Sequence, residues 1–181
     1  RKNNYAMKIK KLKNVKLVDF LKKNSNDNSR QIILLLDNIT DPQNFGSILR
    51  SAAAFNVKLI IAQNINSPHE SASLASAASG ALDLVSICRE KNITKSIHIL
   101  KENGWWIFGL DLPTENHYKE LSNFNNDLNK VVIVLGSEGK GIRRLIKNNC
   151  DEIVCININD NIINSLNVSN AAAIALYSFS K

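Results

Sequence analysis

Val131-Val132-Ile133-Val134-Leu135 runs directly into Gly136-Ser137-Glu138-Gly139-Lys140-Gly141. A helix-like stretch over 142–149 follows, and then a second apolar run, Glu152–Ile158 (EIVCINI). The first run is too short and too rich in Val for a helix, and it has no polar alternation. It reads as a strand covered on both faces. Strand, glycine loop, helix and strand together make a parallel crossover unit. Three glycines after a buried strand expose backbone N–H groups, which favours a ligand site over a plain connection. The Walker pattern and the GxGxxG pattern are both absent, and Glu138 would repel a phosphate. The loop therefore suits a neutral or cationic ligand, or else serves only as a turn.

The same alternation extends upstream. Gln31–Leu36 (QIILLL) is another continuous apolar run, and DNITDPQNFG leads from it to a small-residue helix over 47–55. Strands are expected at 57–62, 82–87 and 105–110, and helices at 68–79 and 94–101. A polar connection over 111–129 precedes the opening strand, and a helix over 165–180 closes the chain. This order predicts an α/β fold with a mostly parallel sheet flanked by helices. Residues 31–181 form one domain, and 1–30 form a basic linker or arm. The arm carries ten Lys or Arg against Asp19 and Asp27, whereas the remainder carries thirteen basic and fourteen acidic groups. Such an arm suits a polyanion such as RNA, or acts as a solubilising linker. The chain starts at Arg1 and its one Met is Met7, so something upstream is expected to be missing.

Composition narrows the class further. Hydrophobic residues make up 44% and charged residues 22%, ordinary values for a globular domain. No apolar stretch approaches the roughly 20 residues of a membrane span. Cys88, Cys150 and Cys155 are odd in number and lack CxxC spacing, and the three histidines are scattered. Neither a disulfide framework nor a metal site is expected, and the compartment should be reducing.

Three stretches can carry chemistry. Asn44-Phe45-Gly46-Ser47-Ile48-Leu49-Arg50 follows the first strand at its carboxyl end, where open α/β sheets place ligands. Asn44 can cap the next helix. Arg50 is a candidate catalytic cation or a surface residue paired with a carboxylate. The second stretch is the Gly136–Gly141 loop. The third, Ser165-Leu166-Asn167-Val168-Ser169, opens the closing helix, where Ser165 or Asn164 can cap it.

Taken in this order, DNITDPQNFGSILRSAAAF, VVIVLGSEGKGIRRLIKNNCDEIVCI and SLNVSNAAAIALY strongly resemble the three motifs of the SpoU/TrmH family of RNA ribose 2′-O-methyltransferases. The likeness covers roughly residues 17–181 and is nearest to the branch acting on guanosine in large-subunit ribosomal RNA. It implies an α/β domain with a C-terminal deep trefoil knot, S-adenosylmethionine as methyl donor, a homodimer and a cytoplasmic location. Matching motif positions imply Leu135, Gly136, Ile156, Ile158 and Leu166 as the donor pocket. They imply Arg50, with Asn44, Glu138, Ser165 and Asn167, as the catalytic group. Arg143, Arg144 and Lys147 are expected on the RNA surface. The chain departs from the motif at Asn157, where the family has proline, and lacks the glycine of the loop that follows. A transfer RNA substrate and a non-catalytic RNA-binding module are the alternative readings.

Overall fold

The computed structural model describes residues 14–113, 118–123, 127–159 and 165–180. Among them, seven strands form one sheet in the order β3-β2-β1-β6-β4-β7-β5, with every neighbouring pair parallel. The strands are β1 (Gln31–Leu36), β2 (Leu59–Gln63), β3 (Ser86–Glu90), β4 (Trp106–Leu110), β5 (Lys119–Glu120), β6 (Lys130–Leu135) and β7 (Glu152–Cys155). The helices are α1 (Leu17–Lys23), α2 (Pro42–Ala54), α3 (Ala72–Ala78), α4 (Ile93–Glu102), α5 (Arg144–Lys147) and α6 (Val168–Phe179).

The continuous apolar runs are explained by burial on both faces. Ile32, Leu34 and Leu36 of β1 point with Val131, Ile133 and Leu135 of β6 toward α2, α3 and α6. The alternate residues Ile33, Leu35, Val132 and Val134 point the other way, into a core shared with α1, α4 and Ile146 of α5. The result is three layers, helix on sheet on helix. Leu17, Phe20 and Leu21 of α1 are buried in that second core, so the described part of the basic arm packs against the sheet.

Several boundaries differ from the sequence reading. α2 begins at Pro42, not at Ser47, because Asp41 caps it by accepting from Gln43 N and Asn44 N. Asn44 is therefore inside the first turn, not at the cap. α6 begins at Val168 and not at Ser165. Its cap is Asn167, whose side chain accepts from Ser169 N. The strand expected at 82–87 is a 3₁₀ turn, Ala81–Asp83, followed by β3. β5 lies within the connection expected to be without strands. The expected knot depends on the path through residues 160–164, which lie outside the described residues.

Candidate functional site

The carboxyl ends of β4, β6 and β7 open into one cleft of about 280 Å³, just below the range of about 300–1,000 Å³ usual for small-molecule pockets. Three chain segments build it. β6 leads into Gly136–Gly141, β7 leads into Ile156 and Ile158, and the approach to α6 supplies Ser165, Leu166 and Val168. All five residues expected in a donor pocket, Leu135, Gly136, Ile156, Ile158 and Leu166, line this cleft, and so do Glu138 and Ser165.

The glycine loop is a tight hairpin. Ser137 and Gly141 exchange two backbone hydrogen bonds of 3.1 and 2.9 Å. A Cβ on Gly136 would stand 2.1 Å from the carbonyl carbon of Gly141, so only glycine lets the two limbs approach. Gly139 and Gly141 take φ values of +78° and +63°, the left-handed region that glycine occupies at least cost.

The turn of the hairpin sends Glu138 toward two asparagines from distant segments. Asn44 Nδ2 donates to Glu138 Oε1 at 3.2 Å. Asn167 Nδ2 lies 2.6 Å from the same oxygen and 2.9 Å from Asn44 Oδ1. Asn167 in turn is fixed by Ser169, whose backbone N and hydroxyl both donate to its Oδ1. Side chains separated by up to 123 residues thus form one polar cluster joining α2, the hairpin and the start of α6.

Arg50 is exposed and does not line the cleft. Among the described residues it has no hydrogen-bond or ion-pair partner, so the surface pairing considered for it does not occur there. It follows Asn44 by six residues, about 9 Å of helical rise. Helical side chains lean toward the N-terminal end, which is the end that carries Asn44.

The three basic residues after the loop differ in their surroundings. Arg144 is exposed, with no side-chain partner among the described residues. Arg143 is tied to Asp37, and Lys147 Nζ pairs with Asp111 Oδ2 at 2.8 Å. Asp111 follows β4, lines the cleft and was not singled out from the sequence, although its place at the carboxyl end of a strand was a usable signal. Leu110, Leu112 and Ala171 also line the cleft without having been predicted, and Ser137 lines it from within the predicted loop. Asn157, which replaces the family's proline, donates from Nδ2 to Glu120 Oε1 at 3.3 Å, so this part of the wall is fixed to β5 by a side chain. Burial pushes the Cys150 thiol, behind the cleft floor, up to about 12.

Comparison with known proteins places this architecture. A family model described as the SpoU rRNA Methylase family matches residues 31–177. A Borreliella burgdorferi protein described as an uncharacterized tRNA/rRNA methyltransferase is 35% identical over 179 residues, covering 94% of this chain and 75% of its own length. A Staphylococcus aureus protein assigned to the TrmH family of tRNA/rRNA methyltransferases is 36% identical, covering 87% of this chain and 62% of its own. The AdoMet-bound rRNA methyltransferase of Sinorhizobium meliloti superposes with a TM-score of 0.79 at 21% identity, covering 92% of this chain and 60% of that one. The chain thus spans about three fifths of the length of two of these three proteins. With the family model spanning both strand-to-loop transitions that build the cleft and most of the closing helix, the chain belongs to the SpoU rRNA Methylase family.

Proposed function

We propose that this domain transfers a methyl group from S-adenosylmethionine to a ribose 2′-hydroxyl of RNA, with a guanosine of large-subunit ribosomal RNA as target. The Asn44–Glu138–Asn167 cluster beside an apolar cleft carries this reading. The cleft fits the donor's chemistry. Leu110, Leu135, Ile156, Ile158 and Leu166 offer an apolar seat for a flat base, and the carboxylates of Asp111 and Glu138 suit a cationic ligand. When bound, S-adenosylmethionine supplies an electrophilic methyl group on sulfur.

The chain's own residues have three tasks. Leu135, Gly136, Ile156, Ile158 and Leu166 hold the donor and exclude water. Asn44, Glu138 and Asn167, with Ser165 on the adjacent wall, orient the ribose, and orientation supplies much of the acceleration. The Arg50 guanidinium stabilises the oxyanion that forms as the hydroxyl proton leaves to water or phosphate. Arg50, Arg144 and exposed Lys140, none with a side-chain partner among the described residues, supply positive charge for the RNA backbone, with Lys147 alongside. Ile174 and Tyr177, exposed three residues apart on α6 beside Phe55, support a homodimer through that face. The chain path of a trefoil knot and a cytoplasmic location belong to the same reading. Among the described residues no helix is long and apolar enough to cross a membrane.

The test is to incubate the protein with S-adenosylmethionine and either ribosomal or transfer RNA, and to map ribose methylation. Methylation of a single guanosine in large-subunit RNA is expected. Methylation of transfer RNA alone would move the substrate. Donor binding absent by calorimetry, with RNA still bound, would make the domain a non-catalytic RNA-binding module.

A further inference from the structure

Asp37 directly follows β1 and its residue is fully buried. Its backbone N donates to Leu135 O at 2.8 Å, the residue immediately before the glycine hairpin. Its carboxylate takes three bonds from Arg143, the second residue after the hairpin. Arg143 N donates to Oδ2 at 2.9 Å, Nε donates to Oδ1 at 2.8 Å, and Nη2 approaches Oδ1 at 2.7 Å. One residue therefore grips both limbs of the hairpin. Between the two grips lie Gly136, Ser137, Glu138, Gly139 and Gly141, all of which line the cleft.

A buried carboxylate is a costly way to hold two segments together. Desolvation consumes most of what the pairing returns, and apolar residues of the same volume often stabilise as well or better. What the ion pair adds is geometric definition, through a planar fork on one carboxylate with a backbone N–H beside it. We propose that Asp37 and Arg143 are positioning residues for the donor cleft. They hold the base of the Gly136–Gly141 hairpin and so set its affinity for S-adenosylmethionine, and Arg143 acts through this pair and not through RNA. The inference rests on the functional reading above.

The test uses the full chain and three variants. Asp37→Asn removes the charge and keeps the shape. Arg143→Lys keeps the charge and removes the fork. The third is the double variant. Donor affinity is read by calorimetry with S-adenosylmethionine, RNA affinity by titration at several salt concentrations, and folding by thermal melting. Each single variant should weaken donor binding about tenfold, and the double variant no more than the weaker single, because members of one network are not additive. Turnover at saturating donor and the salt slope of RNA binding should stay unchanged. A lower melting temperature with unaltered donor affinity would make the pair merely structural and overturn the proposal. So would Arg143→Lys weakening RNA binding while Asp37→Asn leaves it intact. If the unaltered chain bound no donor at all, the functional reading would fail instead.

Discussion

β1 and β6 run side by side in register, Leu36 against Leu135, and both give way to loops immediately afterwards. Their exits nevertheless differ in kind. β1 leads within six residues into a thirteen-residue helix whose N-terminus is capped by Asp41 and whose exposed face carries Arg50, a cation with no partner among the described residues. β6 leads into a glycine hairpin whose limbs touch and which walls a cleft lined elsewhere mainly by apolar residues. One exit presents charge to solvent; the other walls a cleft. Adjacent strands thus divide the proposed reaction, with the acceptor on the α2 side and the donor on the hairpin side, and the Asn44–Glu138 hydrogen bond is one link between them.

That division can be broken at each part. The largest effect is expected at Arg50. Arg50→Ala should lower methyl transfer by about three orders of magnitude, the upper range for losing one oxyanion-stabilising group, and leave donor affinity within about twofold. Loss of donor binding in the same variant would collapse the distinction between the two sides. Gly136→Ala attacks the other side. The added methyl meets Gly141 and Ile142 backbone atoms at 2.1–2.3 Å, so the hairpin must open. Donor binding should vanish in calorimetry, with a stability loss of about 3 kcal/mol by chemical denaturation; RNA affinity should hold. Glu138→Gln tests the joint between them. The isosteric amide keeps the volume and loses the charge to which both Asn44 and Asn167 donate, so kcat should fall about tenfold with a smaller loss of donor affinity. An unchanged kcat would show that the cluster orients nothing.

The smallest effect compares two thiols in the packing behind the sheet. Cys88 of β3 and Cys150, which follows α5, pack against the same core on the sheet face away from α2, and burial pushes both thiols up to about 12. Both should resist iodoacetamide in the native protein at pH 8 and react at once in denaturant. The sign for stability follows. Unfolded thiols ionise near 9.0 and folded ones near 12, so the fold binds these protons longer. Their contribution is complete below pH 9 and disappears as pH rises toward 12. Rapid alkylation of Cys150 alone would mean that the segment after α5 opens more readily than β3.

How much of this could be read along the chain depended on whether the signal was local. β1 was legible to the residue because six consecutive apolar positions admit few alternatives. β3 was not, because Ser86-Ile87-Cys88-Arg89-Glu90 forms a sheet edge and lacks an apolar run, while Ala81-Leu82-Asp83 imitates a strand start. The two helix caps were misplaced because Asp41 and Asn167 stand among other good capping residues, and only geometry chooses between them. The members of the polar cluster were named through the family motifs, but their mutual hydrogen bonds span 29 to 123 residues and have no local signature. The same holds for Arg143 and Lys147, whose carboxylate partners lie 106 and 36 residues away at the ends of other strands.

The strand order has a consequence for synthesis. A chain growing from its N-terminus can assemble β1, β2 and β3 as one block, since they neighbour each other. β4 comes next but has no seat, because both of its neighbours, β6 and β7, are made later. Until residue 135 leaves the ribosome, β1 and β4 each keep an unpaired apolar edge, the kind of surface that invites misassembly. β6 then enters between them and joins the two parts, bringing the glycine hairpin with it. A polypeptide interrupted before that point would carry most of the domain's mass, no cleft and two adhesive edges, and would be a natural client for chaperones.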